Sequence, residues 1–182
     1  MFLISLSLVA CSEPTTARER MRQDIEFINN NEGEIYVYRD NLELLSQEDN
    51  VVMFACFSEI SFTHNFIMIV ITNYNREYLT ESFTQHLFDL LNRNENIMLA
   101  FIDFDNFEFL RFAGLEPGIT MSPGANSKQA EVFTNFFGMV NRLTLSFGVI
   151  DNPNPITLEE VIVGSFAQQI LDYNQSLHLR VN

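Results

Sequence analysis

Three carboxylates gather in Asp103-x-Asp105-x-x-Glu108, directly after an apolar run that reads as a strand. Hard cations take oxygen ligands, so this group is a weak candidate for calcium. It lacks the glycine and the remaining ligands of a calcium loop, and solvated carboxylates at a strand end are the simpler account. The three histidines, His64, His86 and His178, are scattered without metal-ligand spacing. His64 reads as a surface or half-buried polar residue beside a strand, and His86 flanks the apolar stripe of a helix. The two cysteines, Cys11 and Cys56, form no Cys-x-x-Cys, so a dithiol–disulfide cycle has no resolving partner. Cys56, in Val51-Val52-Met53-Phe54-Ala55-Cys56-Phe57, reads as a small core residue. There is no Gly-x-Ser-x-Gly, no phosphate loop and no glycine-rich dinucleotide turn. The expectation is a protein without enzymatic activity and without a cofactor. Asn174-Gln175-Ser176 is a glycosylation sequon, placed by the sequence just after the last helix.

Composition narrows the partners. Of 182 residues, 47% are apolar and 18 are Phe, enough for one domain to bury a core. The chain carries 24 acidic against 10 basic residues, net −14, with Lys128 as its single lysine. Nucleic-acid backbones demand basic patches, so nucleic-acid binding is excluded as an expectation. The acidity keeps molecules soluble and mutually repelling, with weak calcium storage as the sharper alternative. The leader, Met1 to Ala10, is apolar or small but too short to span a bilayer, and no other stretch suffices. It reads as a signal peptide cut near Ala10 or Cys11. Leu8-Val9-Ala10-Cys11 also resembles a bacterial lipobox, which would make Cys11 a lipidation site.

The elements that position these residues follow from pattern. A polar helix is expected over 15–29 and a strand over 35–38. A helical turn follows near Leu42 to Ser46, then strands over 51–57 and 65–72. The second of these is apolar on both faces and therefore central. A helix is expected over 76–92, with Leu79, Phe83, Leu87, Leu90 and Leu91 as its apolar stripe. A third buried strand spans 97–102, a short helix 107–113 and a loop 116–127. Residues 131–140 are ambiguous, and 143–150 read as a strand. Thr157 and Glu160 have capping-box spacing at the start of the last helix, whose face is Leu158, Val161, Ile162, Phe166, Ile170 and Leu171. Alternating strands and helices make this an α/β sandwich around one mixed sheet. The organisation is a leader (1–11), a polar N-terminal helix and linker (12–33) and an α/β domain (34–182).

With the elements placed, residues 50–174 resemble the non-catalytic b′ domain of protein disulfide isomerases, a thioredoxin-like fold. The resemblance lies in Val51-Val52-Met53-Phe54, the strand Phe66 to Ile71, the long helix, and Ile97-Met98-Leu99-Ala100-Phe101-Ile102-Asp103-Phe104-Asp105. It continues in Phe109-Leu110-Arg111-Phe112-Ala113-Gly114-Leu115 and Ile156-Thr157-Leu158-Glu159-Glu160-Val161-Ile162. Calsequestrins share the fold and the acidity. Residues 116–142 depart from the family in length and lack a proline before the fourth strand. The resemblance implies a redox-silent, chaperone-like module of the endoplasmic reticulum that binds unfolded polypeptide or a partner protein. The implied pocket is Ile69, Ile71, Phe83, Leu87 and Ala100. A one-residue shift of register would swap their faces. The alternatives are a calsequestrin-like calcium-binding luminal protein and a bacterial envelope lipoprotein.

Overall fold

The computed structural model describes residues 16–39, 42, 44–72, 78–103, 128–136, 138–147 and 156–181. The leader with Cys11, the expected helix 107–113 and the loop 116–127 lie outside them, as do Asp105 and Glu108. Helix α1 runs Ala17–Asn30 and begins with a capping box: the Thr16 side chain accepts from the Glu19 N–H, and Glu19 reaches back to the Thr16 N–H. Strands follow at Gly33–Tyr38 (β1), Val51–Phe54 (β2) and Phe66–Thr72 (β3). Helix α2 is Glu81–Arg93, then come β4 (Ile97–Ile102), β5 (Lys128–Phe136), β6 (Met139–Phe147) and helix α3 (Leu158–Val181). Two single 3-10 turns, Leu45–Gln47 and Phe57–Glu59, sit in the β1–β2 and β2–β3 connections.

The six strands form one mixed sheet in the order β2-β1-β3-β4-β5-β6. Strands β1 to β4 are parallel, and β5 and β6 return antiparallel. Helices cover both faces, so the architecture is an α/β sandwich with a mixed central sheet, consistent with the thioredoxin-like class expected. The order of the parallel strands is that of a doubly wound sheet. The β1–β2 connection steps one way across the face of α1 and α3, where Leu42 and Leu45 join the core. The β2–β3 connection and α2 step the other way across the opposite face, where Ile60 and Leu87 are buried. Opposite steps over opposite faces share one hand, as parallel crossovers require.

One core layer joins Met21, Ile25 and Ile28 of α1 to Ile162, Phe166 and Ile170 of α3 beneath Ile35, Met68, Met98 and Val132. The N-terminal helix is thus part of the domain, not a linker to it. Its approach to β1 explains Gly33: a Cβ there would stand 2.6 Å from Ile28 Cγ2. The second layer joins Tyr36, Ile69, Ile71, Leu99, Phe101 and Phe133 to Leu87, Phe88 and Leu91 of α2.

Several expectations shift. Strand β2 ends at Phe54 because the Glu59 carboxylate accepts from the Ala55 and Cys56 N–H groups and turns the chain. Cys56 is therefore an exposed free thiol and not a core residue. The ambiguous 131–140 segment holds the end of β5, to Phe136, and the start of β6, from Met139. Helix α2 starts at Glu81, behind the N-cap Thr80, so Leu79 precedes it. Helix α3 continues to Val181, and Leu171 is 37% exposed, off the buried face. The sequon asparagine Asn174 is therefore inside this helix, half-buried, with Nδ2 donating to Asn31 Oδ1 at 3.1 Å.

Arg18 and Arg22 of α1 both grip Glu48 in the β1–β2 connection, at 2.9 and 2.7 Å. Burial raises the Glu48 pKa, but the two guanidinium groups outweigh it and hold the carboxyl below its ordinary value. A depressed folded-state pKa contributes stability above the ordinary glutamate value, and that contribution is lost as pH falls through the folded one. Asp24 is raised, by burial first and then by Glu160, and has the opposite sign: its contribution favours acid and fades as pH rises. Glu48→Gln is expected to flatten the acid limb of the stability–pH curve. Chemical denaturation from pH 7 to pH 3 checks this, and an unchanged slope would leave the Glu48 clamp without energetic weight.

Candidate functional site

The five residues of the implied pocket do not form one groove. Ile69 and Ile71 of β3 and Leu87 of α2 pack together, each 0% exposed. Phe83, one turn earlier on α2, is half-buried at the rim of the same layer. Ala100 is also 0% exposed, but it lies in the opposite layer with α1 and α3. The parallel register pairs Val70 with Ala100 and Ile69 with Leu99, so Leu99 and Phe101, and not Ala100, share a face with Ile69 and Ile71. A run apolar on both faces carries no period-2 signal, and the parity of β4 was therefore not legible. Asp103 is exposed at the end of β4 with φ 59°. Among the described residues, no group of three or more His, Cys, Asp and Glu side chains is placed to hold a metal. No described helix is long and apolar enough to cross a membrane.

What solvent reaches is the rim. The Phe83 and Phe57 rings lie 4.4 Å apart, tilted by 32°, and Phe57 lies 5.6 Å from the exposed His86. Beneath these rings, Tyr38, buried at 2% exposure, packs 4.8 Å from Phe83 and 5.2 Å from the buried Phe54. The Arg39 guanidinium stands 3.9 Å over the ring of Tyr78, itself 43% exposed, and Arg39 Nε donates to Tyr38 Oη at 3.2 Å. These rings form a continuous aromatic shelf.

Three chain features place it. Strands β1 and β2 both end here, at Tyr38 and Phe54, and α2 begins here behind Thr80, whose hydroxyl accepts from the Phe83 N–H at 3.1 Å. Arg39 turns the chain at φ 54°. The connections leaving β1 and β3 depart over opposite faces, and in doubly wound sheets the crevice outside such strand ends is where ligands bind. Beside the shelf, β2 is the edge strand and pairs with β1 alone among the described residues.

The loop presenting Phe57 is anchored at its far end. Tyr36 Oη donates to Glu34 and accepts from the Ser61 N–H at 2.9 Å. Burial, and then the hydrogen bond to Glu34, push the Tyr36 phenol up to about 12, so it remains a donor across the physiological range. His64 Nδ1 adds a 2.9 Å contact to Glu34, and the Asn65 N–H donates to the Glu32 carbonyl at 2.9 Å.

Only Phe83 of the shelf was singled out from sequence for binding. Tyr38 and Phe57 read there as strand residues, and His86 as a flank of the helix. Comparison with protein-family models, curated proteins and solved structures gave no match for this chain.

Proposed function

We propose that this protein is a non-catalytic binding module that takes an extended polypeptide segment, or an extended segment of a partner protein, on the aromatic shelf. The supporting observation is the half-open cluster of Phe57, Phe83 and His86, seated on the buried Tyr38 beside the edge strand β2. Rigid aromatic rings supply contact area at little loss of conformational entropy. An exposed edge strand offers backbone donors and acceptors to an added strand, a common mode of peptide capture. The net charge of −14 selects the occupant: a segment bearing basic as well as aromatic side chains. Export, into the endoplasmic reticulum or an envelope, rests on the apolar leader.

A basic, aromatic-containing peptide is expected to bind near micromolar or more weakly, since a shallow site gains little beyond the cost of association. Phe57→Ala is expected to weaken binding at least tenfold, about 1.4 kcal/mol, with the melting temperature nearly unchanged. Isothermal titration and thermal melting of the same samples check both. Equal affinity in wild type and variant would remove the shelf from the binding account.

A further inference from the structure

Strand β2 offers its outer edge to a ligand through few backbone groups. The register pairs Tyr38 with Phe54, and the Arg39 N–H donates to the Phe54 carbonyl at 2.9 Å, so Phe54 turns its backbone groups toward β1. The N–H and C=O of one strand residue point to the same side, and that side alternates along the strand. Val52 therefore also bonds toward β1, while Val51, Met53 and Ala55 point to the outer edge.

Two of these outward donors are already taken within the chain. The Val51 N–H donates to the Glu48 carbonyl at 3.2 Å, and the Ala55 N–H to the Glu59 carboxylate at 2.7 Å. Among the described residues no acceptor reaches the Met53 N–H. The groups left for an added strand are the Met53 N–H, the Met53 carbonyl and the Val51 carbonyl. Proteins blunt edge strands so that sheets do not grow from chain to chain. This edge is sealed at both ends and open between them, which suits a short segment and not a whole strand. The net charge of −14 also keeps a second copy away. Next to the strand the charges balance, with Glu59 and Arg39 at one end and Glu48 gripped by Arg18 and Arg22 at the other. The overall charge therefore acts on residues flanking the bound segment.

Val52 and Phe54 pack in the α2 layer, and Val51 and Met53 in the α1–α3 layer. An occupant residue opposite Phe54 thus places its side chain on the α2 face, which carries Phe57 and Phe83. We propose that the occupant of the shelf is a short linear motif with basic flanks. Its one aromatic residue sits opposite Phe54, in an extended stretch that runs only from Val51 to Phe54. A β-strand of a second copy or of a folded partner is not the occupant. The proposal rests on the shelf as the binding site and adds the length and backbone pairing of what binds.

The probe is an acetylated, amidated Arg-Thr-Val-Thr-Phe-Thr-Val-Thr-Arg peptide, N-methylated at one residue at a time and titrated calorimetrically. Methylation is expected to weaken binding about tenfold at two positions, two residues apart. It is expected to leave affinity unchanged within error at the position between them and at the ends. A parallel motif puts the sensitive pair at the phenylalanine and two residues before it, an antiparallel one at the first and third residues after it; either supports the pairing. Amide exchange at Met53 is expected to slow with peptide, with Val51 and Ala55 unchanged. Binding that Phe57→Ala weakens but methylation leaves untouched everywhere would overturn the backbone pairing and keep the shelf. Sensitivity alternating along the whole peptide would overturn the short motif in favour of a full strand. No binding of the unmethylated peptide would overturn the shelf and the motif together.

Discussion

Ala100→Gln is expected to destabilise the domain by about 3–5 kcal/mol, from overpacking and from burying an amide without partners. Ala100 is 0% exposed among Met68, Val70, Ile102 and Val132, under the α1–α3 layer. Glutamine adds a long polar side chain where the neighbouring side chains are apolar. A small domain holds only about 5–15 kcal/mol in total, so much of the margin disappears. The same substitution would leave stability intact if Ala100 lined an open pocket, so it separates the two accounts. Urea denaturation of wild type and variant gives the answer. A midpoint within error of wild type would contradict the buried placement.

The second large effect is at the buried ion pair of the antiparallel strands. Glu131 on β5 is 1% exposed and receives Arg142 Nε of β6 at 2.8 Å; the Arg142 side chain is 23% exposed. The guanidinium also lies 5.9 Å from the Phe133 ring, its direct cross-strand neighbour. Removing one partner of a buried pair strands the other charge, at about 3–5 kcal/mol. Residual exposure of Arg142 places Glu131→Ala near 3 kcal/mol, the lower end of that range. Glu131→Leu combined with Arg142→Met should recover much of the loss, since apolar replacement of both partners is often neutral. Denaturation midpoints of the single and double variants check this. A single variant as stable as wild type would mean the pair is not desolvated.

These residues also mark where the sequence was readable. The N-cap Thr157 announced a helix start, because the cap is a local bond between residues three apart, Thr157 with Glu160; the same pattern at Thr16 and Glu19 begins α1 at Ala17, later than the expected start at residue 15. The central position of β3 was legible from its apolar run, because both faces are covered. Strand β5 was not: Glu131, Thr134 and Asn135 are polar yet buried, and the partners of Glu131 and of the Asn135 Nδ2, Arg142 on β6 and the Leu91 carbonyl, are not visible locally. The end of β2 was missed because apolar residues continue past it, and a side chain five residues beyond Phe54, that of Glu59, terminates the strand. The shelf was missed for a similar reason. Tyr38, Phe57, Phe83 and Tyr78 are brought together by strand order, which a linear reading of aromatic residues does not contain.

The binding account is tested most directly by mapping a basic aromatic peptide onto the protein with side-chain nuclear magnetic resonance. The account predicts perturbed resonances at Phe57, Tyr78, Phe83 and His86, with slowed amide exchange along β2. It predicts silence at Ile69, Leu87 and Ala100. Perturbations confined to the α1–α3 face, or none at saturating peptide, would contradict it.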